Sequence, residues 1–566
     1  MNPTTDCLDR VKNWIVFALL GTLVALCLLG IQVNSPTLDE PAHIARGYRY
    51  LITGKLDLDE SPPLVDMLSA LPVLFHKGII IPPPHPVHRF SLTEFADMFV
   101  WVYNDAEAVI NSGRLAIIFL SVLLGYAVFL WARELWGVSA GLLALFFYVL
   151  DPNILAHSQL ATNDLGAACF IFIATYFLWR FLRRHRSVDL AAAGLLLGLA
   201  QAAKFSALLL LPVFCVMLLI EACRNRISHG WRTRQGHSAH RGLGRATRSF
   251  CVTLLILSSL AFFSLWASYR FETVPLQSFK SVWNLAQQAL NSSGGQGSIK
   301  DWVMPFATYA RGLRSILRRL ERAAPVFLMG RHFSKGPWYH ILVAFAIKTP
   351  IPTLILLAAA TYLTLRGKHS AHEEFILYLP ITVFFLAGVI FSSLNLNYRH
   401  ILPILPFAFV IVSKIVTWNL GHLGQLILAV LCLWYAIGTA SIYPHCLAYF
   451  NEFVGGSGNG YKYLVGADLD WGQDLKNLKT YMAQNDLDIV HLAYFGSAHP
   501  DYYGIQAQPL PTNKPEDLEI ETTPVYAISA TYLQGSYLED VDQFSWLRRY
   551  TPVAKIGYSI FLYRLP

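Results

Sequence analysis

Eleven long apolar runs dominate the sequence and leave few choices of fold. A helix needs about 20 apolar residues to cross a bilayer. Runs near that length occur at residues 14–32, 114–131, 138–152, 165–181, 188–203, 205–221, 250–267, 340–364, 375–393, 400–418 and 424–442. Only 14% of the residues are charged, whereas soluble domains carry roughly 25%. The sequence therefore predicts an all-α polytopic membrane domain of about eleven transmembrane helices.

The basic residues between the runs predict how the chain is oriented. The segments 180–186, "RFLRRHR", and 224–248 are dense in Lys and Arg, which favours the cytoplasmic side. The first run is too long for a signal-peptide core, so we interpret it as a retained helix. We therefore expect an integral inner (plasma) membrane protein with a cytoplasmic N-terminus. Four segments are then extracytoplasmic: residues 33–113, 153–164, 268–339 and the tail from 443.

The tail differs from the rest of the chain in charge and in pattern. From residue 445 onwards 8 basic residues face 14 acidic ones, a net charge of −6, while the whole chain carries +8. "DIVHLAYFG" and "VYAISATYLQG" are typical of strands, and "GQDLKNLKTYMAQN" is typical of a helix. The sequence predicts two units: a transmembrane domain over residues 1–444 and a small extracytoplasmic α/β domain over residues 445–566.

One amphipathic segment lies in the loop 268–339. "RGLRSILRRLERAAP" places four arginines on one face of a helix and four apolar residues on the other. Such a helix is typical of the membrane interface, bound to anionic lipid heads. The alternative is that some of its arginines contact a substrate phosphate. The residues are Arg311, Arg314, Arg318 and Arg322, opposite Leu313, Ile316, Leu317 and Leu320.

Candidate site residues begin directly after the first apolar run, in "TLDEPAHIARGYRYLITGKL". Asp39 and Glu40 are adjacent carboxylates where a membrane helix ends, a costly place for charge unless it is used. His43 follows on a short helix that we expect to end at Gly54, a favourable C-terminal cap. Glu60 precedes a Pro-Pro pair. A carboxylate here can act as a general base toward an acceptor, and Glu60 can position that acceptor.

Further candidates come from distant parts of the chain at the same predicted membrane level. The Lys and Arg residues among them suit binding of a phosphate, because they stabilise a leaving group that departs with negative charge. The candidates are His157, Asp164, Lys204, Lys348, Arg399 and His400. A base beside a phosphate-binding cluster at a membrane interface fits transfer from a lipid-linked phosphate donor.

Four quoted segments, in order, resemble a known family. They are the first-loop stretch above, "DPNILAHSQLATNDLGAACF", "GLLLGLAQAAKFSALLLLP", and "FSKGPWYHILVAFAIKTPIP" with "LNYRHILPILPF". Together they resemble the lipid-carrier-dependent glycosyltransferases of GT-C fold, in the group that contains protein O-mannosyltransferases and bacterial aminoarabinose transferases of lipid A. One departure is Ser61 in "ESPPL", where members that modify lipid A often carry a Lys.

The resemblance implies an inverting transfer of a sugar from a polyprenyl-phosphate carrier. Asp39, with Glu40 beside it, matches the first acidic position of the family, and Asp164 matches the second. Lys204, Lys348 and Arg399 are then the candidates for the donor phosphate, and His43, Glu60, His157 and His400 for substrate contacts. The acceptor is a lipid, a glycan or a protein, and membrane lipids surround the helices. Nothing in the sequence indicates nucleic-acid binding.

Two questions stay open from the sequence. His43 and His157 are candidates for joining carboxylates around a divalent metal, although no tight metal-ligand spacing exists. The second class of function is a non-catalytic transporter or flippase of lipid-linked saccharides. Transporters place polar groups near the bilayer midplane in repeated halves. Here the charged groups gather at one rim and no halves repeat, which favours the enzyme.

Overall fold

The computed structural model describes residues 3–56, 61–83, 90–232, 239–275, 303–305, 307–321, 324–366, 371–512 and 524–564. Up to the fourth apolar run its helices are α1 (Pro3–Val33), α2 (Glu40–Thr53), α3 (Leu64–Ala70), α4 (Leu92–Asp97), α5 (Ala106–Trp136), α6 (Val138–Val149), α7 (Pro152–Ser158) and α8 (Asn163–Arg184). The following helices are α9 (Ser187–Ala203), α10 (Leu210–Arg232), α11 (Ala239–Ser268), α12 (Ala307–Glu321), α13 (His340–Lys348), α14 (Ile351–Arg366), α15 (Ala371–Ile390), α16 (Leu405–Ser413), α17 (Gly421–Ile442), α18 (Leu475–Gln484) and α19 (Ala530–Leu533).

All eleven apolar runs are helical, which confirms a multi-pass membrane protein. Within the described residues seven helices are long and apolar enough to cross a membrane. They are Val11–Val33, Ala106–Trp136, Asn163–Arg184, Phe205–Arg224, Thr247–Ser268, Tyr398–Thr417 and Gly421–Ile442. Two bent pairs, α6 with α7 and α13 with α14, raise the number of spans to nine if each counts as one. The runs at 188–203 and 375–393 form shorter apolar helices.

Prolines explain the two bends. The α6–α7 pair bends by 65° and the α13–α14 pair by 108°. Pro152 opens α7, and Pro350 lies in the break before α14. Proline lacks an N–H and disfavours a helical residue before it, so a helix stops there. Asp151 is the N-cap of α7, because its Oδ1 accepts the backbone N–H of Asn153 at 2.9 Å and of Ile154 at 3.0 Å.

The core of the membrane part lies between α5, α8 and the span Tyr398–Thr417, which contains α16. Trp131, Phe172 and Phe407 are fully buried there. The ring centre of Phe172 is 5.1 Å from that of Trp131 and 4.9 Å from that of Phe407. Aromatic contacts of this kind fix helix positions closely. The start of α8 and the turn at residue 399 are thereby held next to each other.

The first loop folds into two short helices that pack closely. Helix α2 ends where the sequence predicts, because Gly54 adopts a left-handed φ of 70° and its N–H bonds back to Tyr50. Gly47 faces α3, and a Cβ there would lie 2.0 Å from the backbone oxygen of Asp66. Only glycine permits this approach. The contact places Asp66 directly against the site-bearing helix.

The strands belong to two small hairpin-like pairs and one larger sheet. The pairs are β1 (Thr273–Pro275) with β2 (Val303–Pro305) and β3 (Val326–Leu328) with β4 (Arg331–Phe333), both antiparallel. The larger sheet contains β5 (Ile489–Ala493), β6 (Gln506–Pro509), β7 (Val525–Ser529), β8 (Ala554–Ile556) and β9 (Ile560–Arg564). Its order is β6-β5-β7-β9-β8, parallel across β6-β5-β7 and antiparallel for the other two pairs.

This sheet confirms a small C-terminal α/β domain. Helix α18 packs on it through Leu475, Leu478 and Met482, the three residues that share one face in the sequence pattern. Segment "VYAISATYLQG" forms a strand only as far as Ser529, and α19 follows. The division of the chain at residue 445 stays a prediction.

Backbone hydrogen bonds connect the tail to the first loop. Leu38 donates its backbone N–H to Trp471 at 2.9 Å, and Ser35 donates to Gln473 at 2.9 Å. These bonds place the indole of Trp471 beside the start of α2.

Candidate functional site

Arg399 joins two carboxylates that are distant in the sequence. Its Nη1 lies 3.1 Å from Oδ2 of Asp39 and 3.7 Å from Oδ2 of Asp164. The guanidinium stacks 4.3 Å above the ring centre of Trp471. An Arg held by a ring and two carboxylates has a fixed orientation. Arg399 is therefore the hub of the site.

Lys204 completes this group from the end of α9. Its ammonium contacts Oδ1 of Asp164, which is fully buried at the start of α8. Thr162 donates its hydroxyl to the other oxygen of Asp164 at 3.3 Å. We call Asp39, Asp164, Lys204 and Arg399 the charge cluster. The negative charges of its two carboxylates equal the positive charges of its two cations.

Glu40 points away from the charge cluster. Arg114 binds both of its oxygens, at 2.8 Å and 2.9 Å, and the backbone N–H groups of Thr37 and Ala161 donate at 2.7 Å and 2.9 Å. Burial opposes ionisation of Glu40, but Arg114 and the two amides together hold its pKa below the usual value. With these partners Glu40 is placed to hold the first loop against α5 and the turn before α8.

Lys348 also binds partners outside the charge cluster. Its buried ammonium donates to the carbonyl of Leu447 at 3.0 Å and to that of Asp468, and it lies 4.7 Å above the ring of Phe450. These contacts tie the end of α13 to the tail. The structure therefore does not bring Lys348 into the charge cluster.

The histidine candidates occupy three different environments. His43 places Nδ1 2.8 Å from Asp66. His400 donates Nδ1–H to the carbonyl of Asn397 at 3.2 Å and lines a cavity. His157 is buried, and its Nδ1 has no partner within the described chain. Glu60 lies outside the described residues.

No metal centre forms among these side chains in the described part of the chain. No group of three or more His, Cys, Asp and Glu residues there is placed to hold an ion. His43 and His157 are not brought together around carboxylates.

A cavity of about 510 Å³ adjoins the charge cluster. Apolar side chains make most of its wall, and the ionisable groups on it are Lys204, Arg319 and His400. None of the described residues that line it is acidic. Members of its wall include Ser61, Pro62, Asn163, Phe205, Leu208, Leu209, Ile341, Phe384, Phe391, Leu394, Leu396 and Ile401.

The amphipathic helix α12 closes one side of this cavity. Its apolar residues Leu313, Ile316, Leu317 and Leu320 line the wall, together with Arg319. Of the arginines on the predicted basic face, Arg311 donates to Thr308 at 2.9 Å, and Arg322 lies outside the described residues. The apolar face thus covers a cavity of the protein, and one further arginine reaches it.

Sequence reasoning missed Asp66, Arg114, Trp471 and Arg319 as parts of the site and its support. A charged residue inside an otherwise apolar stretch is the signal for two of them: Asp66 in "LVDML" and Arg114 in "SGRLAI". Trp471 carries no local signal, because its role depends on how the tail docks.

Part of the chain is similar to a known protein family. Residues 96–233 match the family described as dolichyl-phosphate-mannose-protein mannosyltransferase. This match confirms the resemblance to the lipid-carrier-dependent glycosyltransferases of the GT-C superfamily and supports glycosyltransferase as the class of activity. No curated protein matches the chain.

Solved structures of two proteins are similar over most of this chain. The apo oligosaccharyltransferase of Archaeoglobus fulgidus has 13% identity and a TM-score of 0.42, and the match covers 90% of this chain and 62% of that one. Apo ArnT from Cupriavidus metallidurans has 11% identity and a TM-score of 0.41, and covers 98% of both chains. ArnT bound to undecaprenyl phosphate has 11% identity and a TM-score of 0.41, with 97% of this chain and 98% of that one covered. The chain spans less than two thirds of the archaeal enzyme.

Proposed function

We propose that the protein transfers a sugar from a polyprenyl-phosphate-linked donor to an acceptor on the outer side of the membrane, with inversion. The observation that carries this proposal is the apolar cavity whose wall includes Lys204, which itself contacts Asp164. An isoprenoid chain needs an apolar wall, and its phosphate needs cations at one end. Carboxylates directly beyond the cations suit the reacting sugar and the acceptor.

The charge balance supports a particular choice of cations for the donor phosphate. Lys204 and Arg399 are already paired with Asp164 and Asp39. A phosphate anion therefore has to share them, or find a further positive charge. Arg319 lines the same cavity, and no carboxylate pairs with it within the described residues. We assign the donor phosphate to Lys204, Arg399 and Arg319.

The carboxylates then lie on the acceptor side of the phosphate. Asp39 is about one-third exposed, whereas Asp164 is buried. The acceptor, a hydroxyl or amine of a lipid, glycan or protein, approaches past Asp39. It attacks the anomeric carbon as the bond to the phosphate oxygen breaks. The sequence predicts Asp39 as the base, but the carboxylate of Asp39 is paired with Arg399, so that it can hold this cation in place. The cations stabilise the charge on the departing phosphate.

A transfer assay tests the function. The purified protein in liposomes is incubated with radiolabelled polyprenyl-phosphate sugars and a membrane extract, alongside Asp39→Asn. We expect label to move to an acceptor with the wild type and to be lost with the variant. Equal transfer by both would remove Asp39 from the mechanism. Label that crosses the bilayer without transfer would indicate a transporter.

Arg319 provides a separate prediction. Arg319→Ala should raise KM for the donor about 10-fold and leave kcat nearly unchanged, since one charge-assisted bond to the phosphate is lost in ground and transition states alike. Steady-state kinetics over a range of donor concentrations measures both constants.

Arg318 is the matched control. It lies on the same helix and is exposed, but it does not line the cavity. Arg318→Ala should leave KM within about 2-fold, the scale of a screened surface charge. An equal rise in KM for both variants would point to attraction of anionic lipid by the whole helix instead.

A further inference from the structure

A buried carboxylate orients one imidazole at the edge of the charge cluster. His43 follows Asp39 by four residues on α2, so the two side chains share a face of the helix. Nδ1 of His43 lies 2.8 Å from Oδ1 of Asp66. Arg46 binds the other oxygen, Oδ2, with its Nε at 2.5 Å. Asp66 is thus ionised, buried and fixed from two sides.

This arrangement determines which nitrogen of His43 is free. An ionised carboxylate only accepts hydrogen bonds, so Nδ1 must carry the proton that it shares with Asp66. In the neutral ring Nε2 is then the unprotonated nitrogen, on the opposite edge. No hydrogen bond to Nε2 forms within the described part of the chain, and the side chain keeps 17% of its surface exposed.

Asp39 is the less available proton acceptor of the two. Its Oδ2 is held by Arg399 at 3.1 Å. In general a carboxylate is a weaker base than an imidazole, which titrates close to neutral pH. An imidazole that is oriented by a buried carboxylate is a recurring solution for activating a hydroxyl.

The charges around His43 favour its protonated form. Burial lowers the pKa of His43, but Asp66 raises it more strongly, so that the net pKa lies above the usual value. Arg46 works against this rise and Asp39 adds to it. A base with such a pKa can take a proton in the transition state and hold it afterwards.

We propose that His43, positioned by Asp66, is the general base of the sugar transfer, which makes this inference dependent on the proposed function. Nε2 removes the proton from the acceptor hydroxyl as its oxygen forms the bond to the anomeric carbon. The bond between that carbon and the phosphate oxygen breaks, and its electron pair leaves with the phosphate. The proton then passes from Nε2 to solvent. Asp39 holds Arg399 in place.

The test is the pH dependence of kcat/KM for the polyprenyl-phosphate sugar that the wild type turns over. The base must be unprotonated, so the rate should rise as pH passes through the pKa of His43, above about pH 6.5. His43→Gln keeps a donor for Asp66 but has no titrating nitrogen. We expect it to lower kcat/KM by roughly 100- to 1,000-fold and to abolish this rise.

A second variant separates orientation from mere support of the fold. Asp66→Asn removes the negative charge that raises the pKa of His43, so the rise in rate should move to lower pH. Binding of polyprenyl phosphate, followed by tryptophan fluorescence, reports whether each variant keeps its cavity. If His43→Gln does not bind, His43→Asn takes its place in the pH profile of kcat/KM.

His499 is a matched control. It forms a similar pair with Asp97 at 2.7 Å, but both side chains are more than 40% exposed and neither is part of the charge cluster. His499→Gln should leave the profile unchanged. If His43→Gln keeps the rise in rate, the base is another group and the inference is overturned while the transferase stands. If the wild type transfers no sugar, the proposed function fails and the inference fails with it.

Discussion

Arg399→Ala is expected to lower kcat/KM for sugar transfer by roughly 100- to 1,000-fold. The substitution removes the cation that Asp39 and Asp164 share, and with it one of the positive charges that we assigned to the donor phosphate. The two carboxylates would then repel each other across the acceptor path. Transfer kinetics at saturating and limiting donor give the loss in kcat and in kcat/KM.

Arg399→Lys is the informative companion. Lysine keeps the charge but lacks the planar fork, so it cannot contact two carboxylates and stack on Trp471 together. We expect an intermediate loss. An Arg399→Ala enzyme within 2-fold of the wild type would show that the charge cluster is not where transfer occurs.

Glu40→Ala should be the most destabilising single change near the site. It would leave Arg114 buried without its carboxylate partner, and two backbone N–H groups without their acceptor. Breaking a buried pair from one side costs about 3–5 kcal/mol. Denaturant unfolding of the protein in detergent measures the difference in free energy of unfolding.

The same pair has a defined dependence on pH. Because the pKa of Glu40 is lowered in the folded protein, its contribution to stability is fully present above the ordinary Glu value near 4.3 and is lost as pH falls through the lowered one. The control is Asp542→Ala at an exposed pair, where Arg548 is 3.8 Å away and the change should stay within about 1 kcal/mol. Equal losses for the two variants would contradict a structural role for Glu40.

The convergence of the charge cluster could be predicted from the sequence. Asp39, Asp164, Lys204 and Arg399 each lie at the end of an apolar run, and the orientation rule places these ends on one side. Span ends are coarse markers that need no side-chain detail. The helices themselves were predictable for the same reason, since run length and composition decide them.

The division of labour within the cluster could not be predicted in this way. Adjacent residues at a helix start point in different directions, so the motif alone does not say that Asp39 faces Arg399 while Glu40 faces Arg114. Lys348 looked equivalent to Lys204 by position. The bend of 108° after α13 and the docked tail give its ammonium two carbonyl partners instead.

The bonds between the first loop and the tail set an order of assembly during synthesis. Ser35 donates its hydroxyl to Gly472 at 3.1 Å across a separation of 437 residues. Membrane helices enter the bilayer as the ribosome delivers them, and N-terminal parts fold first. Residues 35–39 must therefore wait until nearly all of the chain has emerged before Trp471 can lie under Arg399. All four residues of the charge cluster are therefore synthesised before Trp471, so the ring on which Arg399 stacks is the last of these groups to be made.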